Sequence, residues 1–445
     1  HSVTVEPNIT VGDCLLSLLG QLLLLVAICA SLHHVLRPGK SADPFVRMVT
    51  AASQASPFLL LVVAFIIDAE NLDLVARYGG SELPLLYRIS AVWSSRSGPL
   101  LLWAGIMGVV TLYMSNKLRD TPLEIRIMHG WTSLLLILAA MLEPFEPSSS
   151  LIGGGLNPLL QTDLMVIHPP IVFAFYSLCI ATSSVALAGF MRNDEPIVIH
   201  NSQLHWARAG FLVGTIGIGL GGLWAYTVLD WGGYWAWDPV ETGSLLPWLA
   251  LLIILHARAN TNSLATHVSP AVGMLAGALA FHATLVTRAN GVWASVHAFV
   301  SDGEGSLPQD PYLRVLEIVD FDAVGAEILG YMLSIVFLCY YSVMHLRKHQ
   351  AESLAKLGRT TLIESNRSLS VILVFSFVAV SLWIGSVATL LVGLSAIILL
   401  VEGDAQKPPT HWVALGVALM LFSSWTWNSE WYQAFAGMIP FFVPW

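Results

Sequence analysis

The 445 residues are 56% hydrophobic and only 11% charged, with a mean hydropathy of +0.70 and a net charge of −9. This composition is typical of membrane proteins and excludes an ordinary water-soluble domain. No cluster of Lys or Arg resembles a nucleic-acid-binding patch, so nucleic acid is excluded as a partner.

Continuous apolar runs predict about twelve transmembrane helices, because a helix needs roughly 20 residues to cross the hydrocarbon core. The runs lack the alternation of a barrel strand, which favours an all-α polytopic bundle and a single integral membrane domain over residues 1–445. The first run is expected to be a permanent span. The predicted spans are 13–31, 47–67, 97–113, 127–143, 164–190, 207–227, 244–257, 267–287, 323–345, 367–386, 387–402 and 411–427.

Basic residues predict the orientation of these spans. With the N-terminus outside, fifteen of the 20 Lys and Arg residues fall in inner loops, as the positive-inside rule requires. The longer loops then lie outside, where we expect the functional site. The five basic residues left on the outer side are Arg77, Arg88, Arg96, Arg288 and Arg314.

The four cysteines lie in apolar runs and none forms a Cys-x-x-Cys pair. A thiol redox motif and a zinc site are therefore not indicated, and without Cys-x-x-Cys-His the chain is not itself a c-type cytochrome.

An aromatic segment in the predicted outer loop 228–243 is the most distinctive feature of the sequence. Paired glycines allow close approach of a flat ligand, and Trp and Tyr faces can stack on a macrocycle. Asp238 before Pro239 favours a turn over a continued helix. The candidate ligand-binding residues are Trp231, Gly232, Gly233, Tyr234, Trp235, Trp237, Asp238, Pro239 and Glu241.

Two predicted outer histidines bracket this segment: His168 and His297, the latter in the loop 288–322. Two imidazoles on opposite sides of a porphyrin could supply both axial ligands to iron. His256 falls about thirteen residues into its predicted span, ~20 Å below the outer surface, where an ionisable group is usually functional. A haem b inside the bundle would explain it. The second ligand could be His411 or His345, or could be absent from this chain. His282 is interpreted as a packing or pocket residue.

Several motifs along the chain resemble the cytochrome c maturation haem lyase family CcmF, within the haem-handling superfamily that has a tryptophan-rich WWD segment. They are Trp231–Glu241, Asn157–Gln161 followed by His168–Pro170, Ser295–Phe299, Leu246–Trp248 leading to His256, and Leu83–Trp93. The resemblance implies that His168 and His297 hold a transient outer haem cradled by the aromatic segment. It also implies a transmembrane haem b on His256 and His411.

The implied activity is that of a holocytochrome-c synthase, which attaches haem by thioether bonds to the Cys-x-x-Cys-His motif of apocytochrome c. The implied partners are a haem chaperone, apocytochrome c, thioredoxin-like apocytochrome-handling proteins and membrane lipid. The implied location is the inner membrane of a prokaryote or a mitochondrion, with the site facing outward. The alternatives are a loader that places haem on a chaperone, and a permease or respiratory subunit that binds another flat ligand.

The chain differs from the family in two places. Ser95-Arg96-Ser97-Gly98-Pro99 stands where family members carry His-Glu-Gly-Ser, so the role of the family's acidic pair is not carried over to this chain. Family members also continue beyond the residue that matches His411 into a large outer domain, whereas this sequence reaches Trp445 after a short aromatic tail. The resemblance therefore leads us to expect a separate subunit that supplies the outer domain.

Overall fold

A computed structural model describes residues 11–36, 43–117, 122–148, 155–228, 234–235, 237–257, 264–289 and 322–356. Within these ranges the elements are helical, apart from one isolated β-bridge between Leu72 and Pro147. The helices are α1 (Val11–Leu36), α2 (Pro44–Ile66), α3 (Asp73–Tyr78), α4 (Leu85–Ala91), α5 (Ser97–Lys117), α6 (Pro122–Met141), α7 (Asp163–Arg192), α8 (Pro196–Thr227), α9 (Pro239–Ala257), α10 (Leu264–Arg288) and α11 (Ala323–Lys356).

Nine helices in the described part of the chain are long and apolar enough to span a membrane. They correspond one to one with the first nine predicted spans, which confirms an all-α polytopic bundle. The three spans predicted beyond residue 366 lie outside the described residues.

The chain divides into two compact units. The first contains the described residues of 1–188 and 205–236, and the second contains those of 189–204 and 237–445. The single-domain assignment and the placement of the N-terminus outside stay predictions.

In the first unit, α1 packs on α2 and α6, and α5 packs on the same two helices. Buried polar side chains connect three of these helices. Gln54 Nε2 lies 2.8 Å from Ser31 Oγ and 3.0 Å from His129 Nδ1. The His129 ring stacks on His34 with centroids 4.4 Å apart, and His34 Nε2 lies 3.0 Å from Thr50 Oγ1. Such hydrogen bonds help to fix helix packing where no water is present.

Arg88, one of the basic residues on the predicted outer side, lies in α4 and has a structural role. Its guanidinium donates to the carbonyl of Ile66 at the end of α2, at 3.1 Å, and to the carbonyls of Leu83, at 3.0 Å, and Ser81. A cation at a helix C-terminus satisfies carbonyls that have no intrahelical donor. Arg88 therefore anchors the segment before α5 to α2.

In the second unit, α10 packs on both α9 and α11. Ser342 Oγ donates to the carbonyl of Ala271 at 2.9 Å, and His345 Nε2 lies 3.0 Å from the carbonyl oxygen of His267. On α11 the Tyr331 hydroxyl donates to Glu327 Oε1 at 2.9 Å, and both residues are fully buried.

A substitution at Gly98 tests the tight turn at the start of α5. The Ser95 hydroxyl accepts from the Gly98 amide and donates to the Val92 carbonyl, at 3.0 Å in each case. A Cβ at Gly98 would lie 1.9 Å from the Val92 carbonyl oxygen, whereas a Cβ at Gly105 would lie 3.5 Å from the nearest atom, Ala55 Cα. We expect Gly98→Ala to lower the thermal unfolding temperature in detergent strongly. Gly105→Ala is the control and should change the free energy of unfolding by no more than about 1 kcal/mol. Equal effects of the two variants would contradict the turn geometry.

Candidate functional site

His168 lies in the second turn of α7, immediately before Pro169 and Pro170, and its side chain is half-buried. Its Nδ1 atom is 2.9 Å from the carbonyl oxygen of Gly217 in α8. A carbonyl can only accept, so this contact assigns the ring proton to Nδ1 and the lone pair to Nε2. Histidines that ligate metals commonly have their other nitrogen fixed in this way.

Glycines on α8 allow α7 to approach closely enough for this contact. A Cβ at Gly214 would lie 2.7 Å from Phe175 Cδ2, and one at Gly221 would lie 2.8 Å from His168 Cε1. Trp224, further along α8, meets the His168 ring edge-on with centroids 5.9 Å apart. The imidazole is therefore held between a glycine surface and an indole.

Tyr234 of the aromatic segment packs on the same stretch of α8. Its hydroxyl donates to the carbonyl of Gly219, and a Cβ at Gly222 would lie 2.5 Å from Tyr234 Cε1. The Tyr234 side chain is 50% exposed, which leaves one face accessible. The structure thus packs two of the predicted site residues, His168 and Tyr234, against neighbouring glycines of α8.

Asp238, Pro239 and Glu241 form the start of α9 in the second unit. Asp238 Oδ1 accepts from the Val240 amide at 2.8 Å, and Glu241 Oε2 accepts from the Asp238 amide at 3.3 Å. This reciprocal arrangement is a capping box with proline at the first helical position. It confirms that the helix does not continue through Asp238, and it gives both carboxylates a structural role.

Trp237 precedes this cap and has a left-handed backbone, with φ of +57°. A bulky residue in that region is strained, and such strain is concentrated at functional sites. Its side chain is 54% exposed, which suits a surface that stacks on a ligand.

His256 lies in the last turn of α9, with its side chain exposed and Nδ1 2.9 Å from the Leu252 carbonyl oxygen. The span was predicted to begin at residue 244, whereas α9 begins at Pro239. His256 therefore lies about five residues further from the start of its helix than predicted. The contact with Leu252 places the proton on Nδ1, so Nε2 could ligate iron.

Two other predicted histidines in the described part of the second unit, His345 and His282, are buried. His345 bonds to the His267 carbonyl and packs edge-on against Phe190, with ring centroids 5.8 Å apart. His282 on α10 is 3% exposed, and neither of its ring nitrogens has a hydrogen-bond partner among the described residues.

Five candidate residues lie outside the described ranges: Trp231, Gly232, Gly233, His297 and His411. Within those ranges, no group of three or more His, Cys, Asp or Glu side chains could hold a metal ion. The α8 glycines were missed by sequence reasoning, although the small-residue spacing of Gly210, Gly214, Gly217 and Gly221 is a known signal of close helix packing.

Comparisons with known proteins show what this chain is similar to. The family model described as "Cytochrome C assembly protein" matches residues 93–291, which include His168 and the aromatic segment. The cytochrome c-type biogenesis protein CcmF of Escherichia coli K12 is 34% identical over 261 residues, and CcmF of Pseudomonas fluorescens is 35% identical over 317 residues. Over these regions the chain is similar to CcmF proteins.

The matched regions cover 56% and 64% of this chain but only 40% and 46% of the two CcmF proteins, so the chain spans less than half the length of these relatives. A solved structure of "Cytochrome c Heme Lyase CcmF" matches with a TM-score of 0.53 and 18% identity, over 97% of this chain and 75% of that one. This likeness establishes a shared fold.

Tyr234→Phe tests the attachment of the aromatic segment to α8. Loss of the hydroxyl leaves the Gly219 carbonyl without this donor, at a cost of about 1 kcal/mol. We expect chymotrypsin to cleave within residues 228–238 several times faster than in the wild type. Tyr226→Phe, which alters a tyrosine that is 64% exposed on the same helix, is the control and should not change the rate. Equal rates for the two variants would contradict the attachment.

Proposed function

We propose that the chain is the haem lyase component of cytochrome c maturation. The single observation that carries this proposal is the His168 imidazole, oriented by the Gly217 carbonyl of the helix on which Tyr234 also packs, in a chain that resembles CcmF proteins. The arrangement suits a planar iron porphyrin, which needs one nitrogen donor on each side of the iron and apolar or aromatic contact with the ring.

Haem is the substrate of this reaction. His168 and His297 hold its iron from opposite sides, until the histidine of the Cys-x-x-Cys-His motif replaces one of them. Tyr234, Trp235 and Trp237, together with Trp231, contact the ring and turn its vinyl edge toward the incoming cysteines. Gly232 and Gly233 let the backbone approach the ring, and the Asp238–Glu241 cap fixes the end of the segment.

Each thioether forms by addition of a cysteine thiol across one vinyl group. The sulfur bonds to the vinyl carbon next to the ring and the proton goes to the terminal carbon, so no group leaves. The contribution of the chain is to hold both reactants at the correct distance and angle, which can supply several kcal/mol of the barrier reduction.

His256 and His411 would hold a haem b cofactor, and His345 or a ligand from a partner is the alternative to His411. His256 fits this role because its Nδ1 contact with Leu252 reserves Nε2 for iron. When bound, haem b would supply electrons that keep the substrate iron reduced.

The site faces outward from the inner membrane of a prokaryote or a mitochondrion. A haem chaperone delivers haem there, and thioredoxin-like proteins present the reduced apocytochrome.

Haemochrome spectra of single-histidine variants test both haem assignments. We expect wild-type chain purified in detergent to hold b-type haem, and His256→Ala and His411→Ala each to abolish it, because an iron with one ligand removed is released. His168→Ala should keep the b-type haem and lose binding of added haemin. His205→Ala, which removes an exposed histidine on α8, should retain both.

Retention of haem in His411→Ala together with its loss in His345→Ala would identify His345 as the second ligand. Wild-type protein that holds no haem despite adequate supply, and binds no added haemin, would contradict the proposed function.

A further inference from the structure

Trp93 makes a long-range hydrogen bond to the helix that bears His168. Its indole Nε1–H donates to the carbonyl oxygen of Met165 at 2.8 Å, across 72 residues of sequence and within the first unit. The Trp93 side chain is buried. The Met165 carbonyl lies in the first turn of α7, three residues before His168.

The identity of residue 169 explains why this carbonyl accepts from a side chain. In an α-helix, the carbonyl of residue 165 would accept from the amide of residue 169, which here is a proline without N–H. The proline ring also crowds the carbonyl four residues earlier. The Trp93 indole therefore replaces the missing amide donor to the Met165 carbonyl.

We propose that Trp93 is a positioning residue for His168: its bond to Met165 fixes the backbone of α7 just before His168 and thereby the direction in which the His168 imidazole meets the haem iron. This inference rests on the proposed function. The Gly217 contact fixes the rotation of the ring, and the Trp93 contact fixes the backbone that bears it. Axial ligation needs both, because the bond from nitrogen to iron is short and directional.

Trp93 is itself held rigidly. It lies in the 3-10 turn Val92–Ser94, directly after α4, whose Arg88 is bonded to the end of α2. A donor on such a fixed segment can determine the position of an acceptor, whereas a donor on an exposed loop would follow it.

Haemin titration of Trp93→Phe tests the inference. Phenylalanine keeps an aromatic ring in the site but lacks the N–H. We expect haemin affinity at the His168 site to fall about tenfold, since one buried acceptor loses its donor. The Soret band should shift from low-spin toward high-spin iron, and added imidazole should restore the low-spin band. Trp206→Phe, which alters another buried tryptophan of the first unit, is the control and should bind haemin as the wild type does.

The same Trp93→Phe substitution in a Pro169→Ala background distinguishes loss of the hydrogen bond from loss of packing. Pro169→Ala supplies a backbone N–H that can bond to the Met165 carbonyl, so Trp93→Phe should lower the unfolding temperature less in that background than in the wild type. Equal losses in both backgrounds, or haemin binding by Trp93→Phe equal to that of Trp206→Phe, would overturn the inference alone. Unchanged haemin binding in His168→Ala would instead overturn the proposed function and this inference with it.

Discussion

The absence of water in the hydrocarbon core makes every backbone polar group depend on a partner inside the protein. Pro169 and Pro170 remove two amide donors from α7 immediately after His168. One of the carbonyls left without its usual donor, that of Met165, is satisfied by the Trp93 indole. The site histidine is thus located where the helix cannot complete its own hydrogen bonds and the surrounding structure must supply them.

Close packing between α7 and α8 follows from the same requirement. The His168 ring reaches the Gly217 carbonyl because glycines at 214, 217 and 221 leave room for the facing side chains. Tyr234 uses the adjacent glycines at 219 and 222 in the same way. The glycine-rich stretch of α8 therefore supplies both the acceptor for the imidazole and the support for Tyr234.

Much of the fold could be predicted because span length and apolarity are local properties, and the nine described membrane helices match the first nine predicted spans. The boundary at Asp238 was predicted from the following proline. The position of His256 was not, because the Asp238–Glu241 cap adds a turn of mixed polarity to α9 that hydropathy alone does not include. His168 and Tyr234 were predicted as site residues from their chemistry. Their shared contact with α8 and the bond from Trp93 to Met165 join residues far apart in sequence, and no local pattern encodes such pairs.

The most direct test of haem binding at His168 is the electron paramagnetic resonance spectrum of the full chain loaded with ferric haemin, compared between the wild type and His168→Ala. A nitrogen ligand on each side of the iron predicts a low-spin signal in the wild type. His168→Ala should lose the part of that signal that comes from the added haemin, because this variant no longer binds it. Identical spectra from the two proteins would contradict the assignment of His168 as a ligand of the substrate haem.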